Sequence, residues 1–493
     1  MGLATHQQAS PYSATHFRVL PPSSSTSTRA RESVYESRDA DREVDVRSSL
    51  QRDDRERGLF PGEPETCRRD WRRFAPVMAL LGLLIYIFSL YQLEGRAFRI
   101  LATTAALALP IHYALPYRWK KSFCIAASIM GLIAVYGWEI GVPVLAAGLG
   151  LIGVARAPIS WGLRASLIGL IALALGLARP WAGTIAPSAI WPILGSVFMF
   201  RMVIYMYELR HARDRESFED ALSYFFLLPN YCFIHFPVVD YRTMQRGYFS
   251  QDIHEIQREG LRMILRGVLH LLAYRVIYHE LLIAPGDVNG PWDLTRYLTF
   301  NYLLYLRVSG QFHMACGMLH LFGYKLPETH RNYLLASSFT DYWRRINIYW
   351  KDFMVRVVFN PIVFALKRRP QWQALALATV AVFGVTWLLH AYQSFWLRGT
   401  WGFSATDALF WGILGAFVLI NVQWDAARSS RRPARSLKAK GQSGKPSIAD
   451  RAVLAAKTMA TFVTIAMLWS LWCSPTLTEW LETMGRGLGL SHR

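Results

Sequence analysis

The sequence predicts an all-α multi-pass membrane protein with roughly 10–13 membrane helices, some of them re-entrant or interfacial. Three observations carry this. Hydrophobic residues make up 53% of the chain and charged residues only 18%, against about 45–50% and 25% in soluble domains. The apolar residues fall into blocks of roughly 17–25 residues, the length that crosses a bilayer. The net charge of +20 gathers beside those blocks: residues 1–74 hold 13 Arg against 12 acidic residues, so +19 belongs to the loops and helix ends that follow.

The first 74 residues are rich in Ser and charge and contain no apolar run. They cannot bury enough surface to fold alone, so a disordered charged tail is expected, without a signal peptide. MGLATH also has His6 where N-myristoylation wants Ser or Thr. A membrane core is expected over 75–423, a basic loop over 424–451 and a terminal membrane helix with its tail over 452–493. Candidate spans are 75–93, 98–117, 122–141, 142–157, 160–182, 189–208, 220–239, 262–284, 296–323, 373–397, 405–423 and 452–473. Cytoplasmic loops collect Lys and Arg. CRRDWRRF (Cys67–Phe74) and RSSRRPARSLKAKGQSGK (Arg428–Lys445) are therefore expected on the cytoplasmic side, with an even number of crossings between them. Topology accounts for the basic excess, and no nucleic-acid partner is needed. The five cysteines contain no CxxC pair and read as small buried hydrophobes.

Spans up to residue 208 are plain runs of Ala, Leu, Ile and Gly. From residue 217 aromatic and polar residues interrupt the blocks. Polar groups at membrane depth are costly and mark pathways or sites, so chemistry is expected between 217 and 423. YFFLLPNYCFIHFPVVDYRTMQRGYF (Tyr224–Phe249) holds two prolines and little period. It reads as a broken helix or re-entrant segment, or as a kinked span with a surface loop.

SSFTDYWRRINIYWKDFMVRVVFNP (Ser337–Pro361) opens with an S-x-x-D capping box and ends at Asn360-Pro361, which predicts a helix over about 339–359. At 100° per residue, Asp341, Arg345, Asp352 and Arg356 share one face, with Asp341–Arg345 and Asp352–Arg356 pairs at i,i+4. Trp343, Ile346, Trp350, Phe353, Met354 and Val357 form the opposite face, with Asn347 at its border. Such a helix lies along an interface or plugs a cavity. In the next span, His390 shares a face with Phe383, Trp387 and Ser394. A buried neutral imidazole serves either as a general base or as a hydrogen-bonded core residue. His279, His313 and His320 also lie in the core. The last two are seven residues apart, roughly 10 Å along a helix, whereas ligand pairs on one helix want i,i+4 spacing. No metal is expected, and neither a P-loop nor a GxSxG elbow is present.

Taken together, Tyr342-Trp343-Arg344-Arg345-Ile346-Asn347 and Leu389-His390-Ala391 resemble the membrane-bound O-acyltransferase (MBOAT) family, in its bacterial branch. FFLLPNYCFIHFPVVDYRTMQRGYF is similar to that family's proline-containing segment upstream of the signature. The bacterial branch commonly has His where Asn347 stands, and Trp-His-Gly where this chain has Leu-His-Ala. The resemblance covers about 217–423. It implies tilted helices around a central tunnel in the cell (inner) membrane, with an acyl-CoA or acyl-carrier thioester as co-substrate and no further cofactor. The acceptor would be a hydroxyl of a membrane lipid or envelope polymer, and a soluble acyl carrier or polymer-synthesis proteins could be partners. His390 would act as base and Asn347 would position substrate or stabilise the oxyanion. Trp343, Trp350 and Trp387 would wall the thioester channel, and Arg344 or Arg345 would meet the donor's phosphates. The rival reading is a non-catalytic family member that transports or exports, with His390 lining a pore; the paired halves of many transporters are not seen here.

Overall fold

Nine helices among the described residues are long and apolar enough to cross a bilayer. The structure, a computed structural model, describes residues 59–60, 62–181, 183, 189–211, 217–227, 239–430 and 447–490. The contacts separate residues up to Pro61 from one unit that runs from Gly62 to the C-terminus, and the helices below all belong to that unit. In chain order they are α1 (Trp71–Leu90), α2 (Arg96–Ala114), α3 (Tyr117–Tyr136), α4 (Trp138–Arg156), α5 (Trp161–Ala178), α6 (Ile190–Arg210, with a π turn at Ile193–Phe198), α7 (Phe218–Phe226), α8 (Tyr241–Gly247) and α9 (Ile253–Val276). There follow α10 (Pro291–Leu303), α11 (Leu306–Leu321), α12 (Phe339–Arg345), α13 (Ile348–Met354), α14 (Asn360–Ala365), α15 (Gln371–Arg398), α16 (Ala405–Ser430), α17 (Ile448–Cys473) and α18 (Leu477–Leu488). No strand occurs among the described residues beyond one isolated bridge, Tyr248 with Tyr324. The chain is an all-α multi-pass membrane protein.

The nine are α1 to α6, α15, α16 and α17. Three expected spans are not among them, and each differs for a physical reason. The block 220–239 is helical only over Phe218–Phe226 where described; residues 228–238, and with them much of the proline-containing segment, lie outside the described residues. The block 262–284 belongs to α9, which exposes Glu255, Arg258, Arg262 and Arg266 on one face and buries Ile256, Gly260, Met263, Ile264 and Gly267 on the other. The block 296–323 is interrupted at Leu304–Tyr305, giving α10 and α11.

The unit also starts ahead of the boundary at 75. Glu63 pairs with Arg69 at 2.8 Å and accepts the Tyr117 backbone N–H at 2.5 Å. Asp70 caps α1 by accepting from the Arg72 and Arg73 N–H groups. The residues of the tail up to 58, and 431–446 of the basic loop, lie outside the described residues.

Two close packing contacts stand out in the unit. The first joins α9 to α11. Gly260 and Gly267 oppose Gly317 and Gly310, and a Cβ on Gly260 or Gly267 would come within 2.8 Å of the facing glycine's carbonyl oxygen. Small residues at seven-residue spacing let two backbones touch, the usual way helices associate where burial from water gives little drive. The second sets α15 on α6. The Trp396 ring lies over Gly195, where any Cβ would fall 1.8 Å from it, and Tyr392 donates to the Gly195 carbonyl at 3.4 Å. In α6 79% of the most apolar stretch is buried, against 6% in α5, so α6 is interior and α5 presents its surface to lipid.

Candidate active site

The charged stretch is not one helix. α12 starts as expected, with Ser338 Oγ accepting from the Asp341 N–H at 3.1 Å. A second acceptor comes from another helix: Asn421 Oδ1 of α16 takes the Phe339 N–H at 3.0 Å and the Thr340 N–H at 3.4 Å. At Ile346 the backbone is extended, and at Asn347 it turns left-handed, with φ 38° and ψ 63°. Asn tolerates this region better than other residues with a Cβ because its short polar side chain bonds locally. Here Asn347 Oδ1 accepts from the Trp350 N–H at 3.4 Å and so caps α13. The preceding loop clamps the break: the Arg331 N–H donates to the Arg345 carbonyl at 3.0 Å, and the Ile348 N–H to the Thr329 carbonyl at 2.8 Å.

The break changes the ion pairs. Asp341–Arg345 forms at 2.7 Å, within α12. Burial raises the Asp341 pKa, but the hydrogen bonds from Arg345 and the Ser337 N–H outweigh it and hold the carboxyl below its usual value. The Asp352–Arg356 pair expected from periodicity is replaced. Asp352 meets Lys351 at 2.5 Å, and Arg356 reaches Glu208 of α6 at 2.7 Å and Asp240 at 3.3 Å. A cavity of about 60 Å³ lies beside this pair, with Tyr207, Asp240, Tyr349, Phe353 and Arg356 in its wall.

α12 and α13 pack against α15 and α16, which brings the predicted residues toward one another. Trp350 is the meeting point. Its backbone N–H is capped by Asn347, its ring centroid lies 5.8 Å from that of His390, and its Nε1–H donates to the buried Thr386 Oγ1 at 3.4 Å. Two tryptophans absent from the sequence reading complete the surround of the half-buried imidazole. Trp411 of α16 overlaps it at 4.7 Å with 33° between planes, and Trp472 of α17 meets it edge-on at 5.9 Å. Trp472 is held by a hydrogen bond from its Nε1–H to Asp407 Oδ1 and by stacking on Phe410 at 4.8 Å.

The other predicted residues divide. Trp343 contacts Phe383 at 4.8 Å, one layer behind Trp411. Trp387 sits one turn before His390 with its ring on Phe403 at 5.4 Å. Arg345 is engaged by Asp341, and Arg344 is exposed. Nothing in the sequence separated Trp411 and Trp472 from the other aromatic residues of apolar spans. Both lie more than 60 positions from Trp343 and Asn347, and only the packing of three helices brings them together.

The remaining core histidines are held in other ways. His320 Nδ1 donates to the Cys316 carbonyl at 2.8 Å and its Nε2 accepts from the Leu326 N–H at 3.3 Å, while His313 faces His270 and His330 at ring distances of 5.4 and 6.0 Å. His279 is exposed at a π turn. Among the described residues no three His, Cys, Asp or Glu side chains come together in a way that would hold a metal ion. No protein-family model matches the sequence, and no curated protein sequence matches it.

Proposed function

We propose that the protein is a membrane-embedded O-acyltransferase of the MBOAT kind, moving an acyl group from a thioester to a hydroxyl. The observation that carries this reading is the arrangement around Trp350: Asn347, left-handed at a helix break, caps its backbone N–H, and the His390 imidazole lies against its ring. Backbone strain that surrounding structure enforces is most often found where a side chain must be aimed. His390 takes the proton of the acceptor hydroxyl and later returns it to the leaving thiolate. An amide is no base near neutral pH, so Asn347 binds and positions instead. Its Oδ1 is engaged in the cap, which leaves the amide N–H₂ group to face substrate. The tryptophans form an apolar wall for the acyl chain, and exposed Arg344, rather than Arg345, is the guanidinium offered to the donor's phosphates.

The same reading gives a topology. Among the described residues, eight of the nine candidate spans, α1 to α6 with α15 and α16, lie between the basic segments at Cys67–Phe74 and Arg428–Lys445. Eight is an even number, which suits both segments on the cytoplasmic side of the cell membrane.

The test uses full-length protein in membranes, given labelled acetyl-CoA or palmitoyl-CoA. His390→Ala should lower transfer by about 10²–10⁴-fold, and Asn347→Ala should also lower it. Undiminished transfer by His390→Ala sinks the mechanism. Solute movement across vesicles that depends on His390, with no transfer, would favour the transporter.

A further inference from the structure

The three tryptophans around His390 differ in what their indole N–H groups do. Trp350 donates to Thr386 Oγ1 and Trp472 donates to Asp407 Oδ1. Trp411, whose ring lies nearest the imidazole of the three, is only 8% exposed, and its buried Nε1 has no acceptor within reach. A buried donor without a partner loses its hydration and gains nothing in return, so it demands an explanation. Geometry explains why His390 is not that partner. The two rings pack at 4.7 Å with 33° between their planes, a ring-to-ring contact, whereas the N–H lies in the indole plane. The unpartnered N–H thus belongs to the ring packed against the imidazole. Trp387 on α15 also has a buried Nε1 without an acceptor, but its ring rests on Phe403 and not on His390.

We infer that Trp411 is a catalytic oxyanion donor, its Nε1–H accepted as a hydrogen bond by the thioester carbonyl oxygen as charge develops there. This rests on the acyl-transfer reading. The step balances as follows. His390 removes the acceptor's hydroxyl proton as that oxygen bonds to the thioester carbonyl carbon. The carbonyl π pair moves onto oxygen, where the indole N–H stabilises it without giving up its proton. Collapse of the tetrahedral intermediate restores the carbonyl and breaks the C–S bond, and the imidazolium protonates the departing thiolate. The indole contributes most in the intermediate and least in the bound thioester, which is the condition for accelerating the step. The Trp411 face lies alongside the imidazolium formed in the same step, an arrangement that favours a cation over the ring.

The experiment compares Trp411→Phe, which keeps an aromatic ring and loses the N–H, with β-(3-benzothienyl)alanine installed at position 411, which keeps the indole shape with sulfur in place of N–H. Full-length protein in membranes is given labelled acetyl-CoA or palmitoyl-CoA, and thiol release and label transfer are followed with melting in detergent. Both variants should lose about 10²–10³-fold in kcat, with KM for the thioester and melting little changed. Wild-type kcat in the benzothienyl variant while His390→Ala is inactive overturns the Trp411 assignment and leaves the acyl-transfer reading intact. A raised KM with unchanged kcat also overturns it, making Trp411 a wall. Absence of transfer by the unaltered protein, or full transfer by His390→Ala, overturns both.

Discussion

The histidines of this molecule differ in depth and in neighbours. His313, His320 and His330 are at most 1% exposed, on or beside the glycine-matched pair α9 and α11. Two of them have hydrogen-bonding groups at hand: His320 Nδ1 donates to the Cys316 carbonyl at 2.8 Å, and His330 has Tyr305 Oη 2.9 Å from Nε2 and Thr329 Oγ1 3.2 Å from Nδ1. The buried His313 Nδ1 has no partner among the described residues, and its ring packs on His270 and His330. His390 is less buried and is surrounded by the rings of three tryptophans, one of which keeps an uncommitted N–H. The deeper histidines lie on or beside α9 and α11, and the shallower one lies among the tryptophans of α13, α16 and α17.

The largest contrast is expected between His390→Ala, with transfer down by about 10²–10⁴-fold and melting unchanged, and His330→Ala, with melting lowered. Equal melting losses in the two variants would erase the distinction. Next comes Gly317→Val, which forces branched carbon against the Gly260 carbonyl oxygen and the Ile264 side chain. Overpacking of this kind costs about 1–3 kcal/mol, so lower melting in detergent is expected, and an unaltered profile would deny the close approach of α9 and α11. Tyr305→Phe removes the hydroxyl beside His330 and should cost about 1–3 kcal/mol for the buried nitrogen left unpaired, without a specific loss in the transfer rate of the folded fraction.

Acid provides a fourth probe. Burial, reinforced by His313 and His270, keeps the His330 pKa well below 6.5. The native ring stays neutral while the unfolded chain takes up a proton. Stability from this source is thus complete above pH 6.5 and declines as pH falls below it. His330→Gln should flatten that decline in a melting series from pH 7.5 to 5. An unchanged slope would assign the acid response to other groups. The smallest effect belongs to Ser338→Ala, which removes the α12 cap and should cost about 1 kcal/mol, softened because Asn421 supplies a second acceptor.

The fold class was legible because hydropathy is a local property and a bilayer imposes a length on it. The details that failed were those in which a distant partner decided a local outcome. Periodicity continued the helix through Ile346 and Asn347, since neither residue forbids helix; the Thr329 and Arg345 backbone bonds that stabilise the break come from packing. The same periodicity paired Arg356 with Asp352, whereas its partners Glu208 and Asp240 lie 148 and 116 positions away. Among the candidate residues, His390 and Asn347 were readable as polar groups on an otherwise apolar background, and Trp350 as part of the aromatic face. Trp411 and Trp472 were not, because a tryptophan in a span looks the same whether it faces lipid, core or ligand.

The left-handed turn at Asn347 carries an implication for descent with modification. Few side chains accept that backbone conformation, chiefly glycine, asparagine and aspartate. A lineage drifting at this position therefore has a narrow set of foldable choices, and glycine would preserve the bend while deleting both the cap and the amide. On the acyl-transfer reading proposed above, a chain could in this way fall silent in one step and still keep its shape, its place in the membrane and its other contacts. Shape alone would not distinguish such a relic from its working relative; the identity of one side chain would.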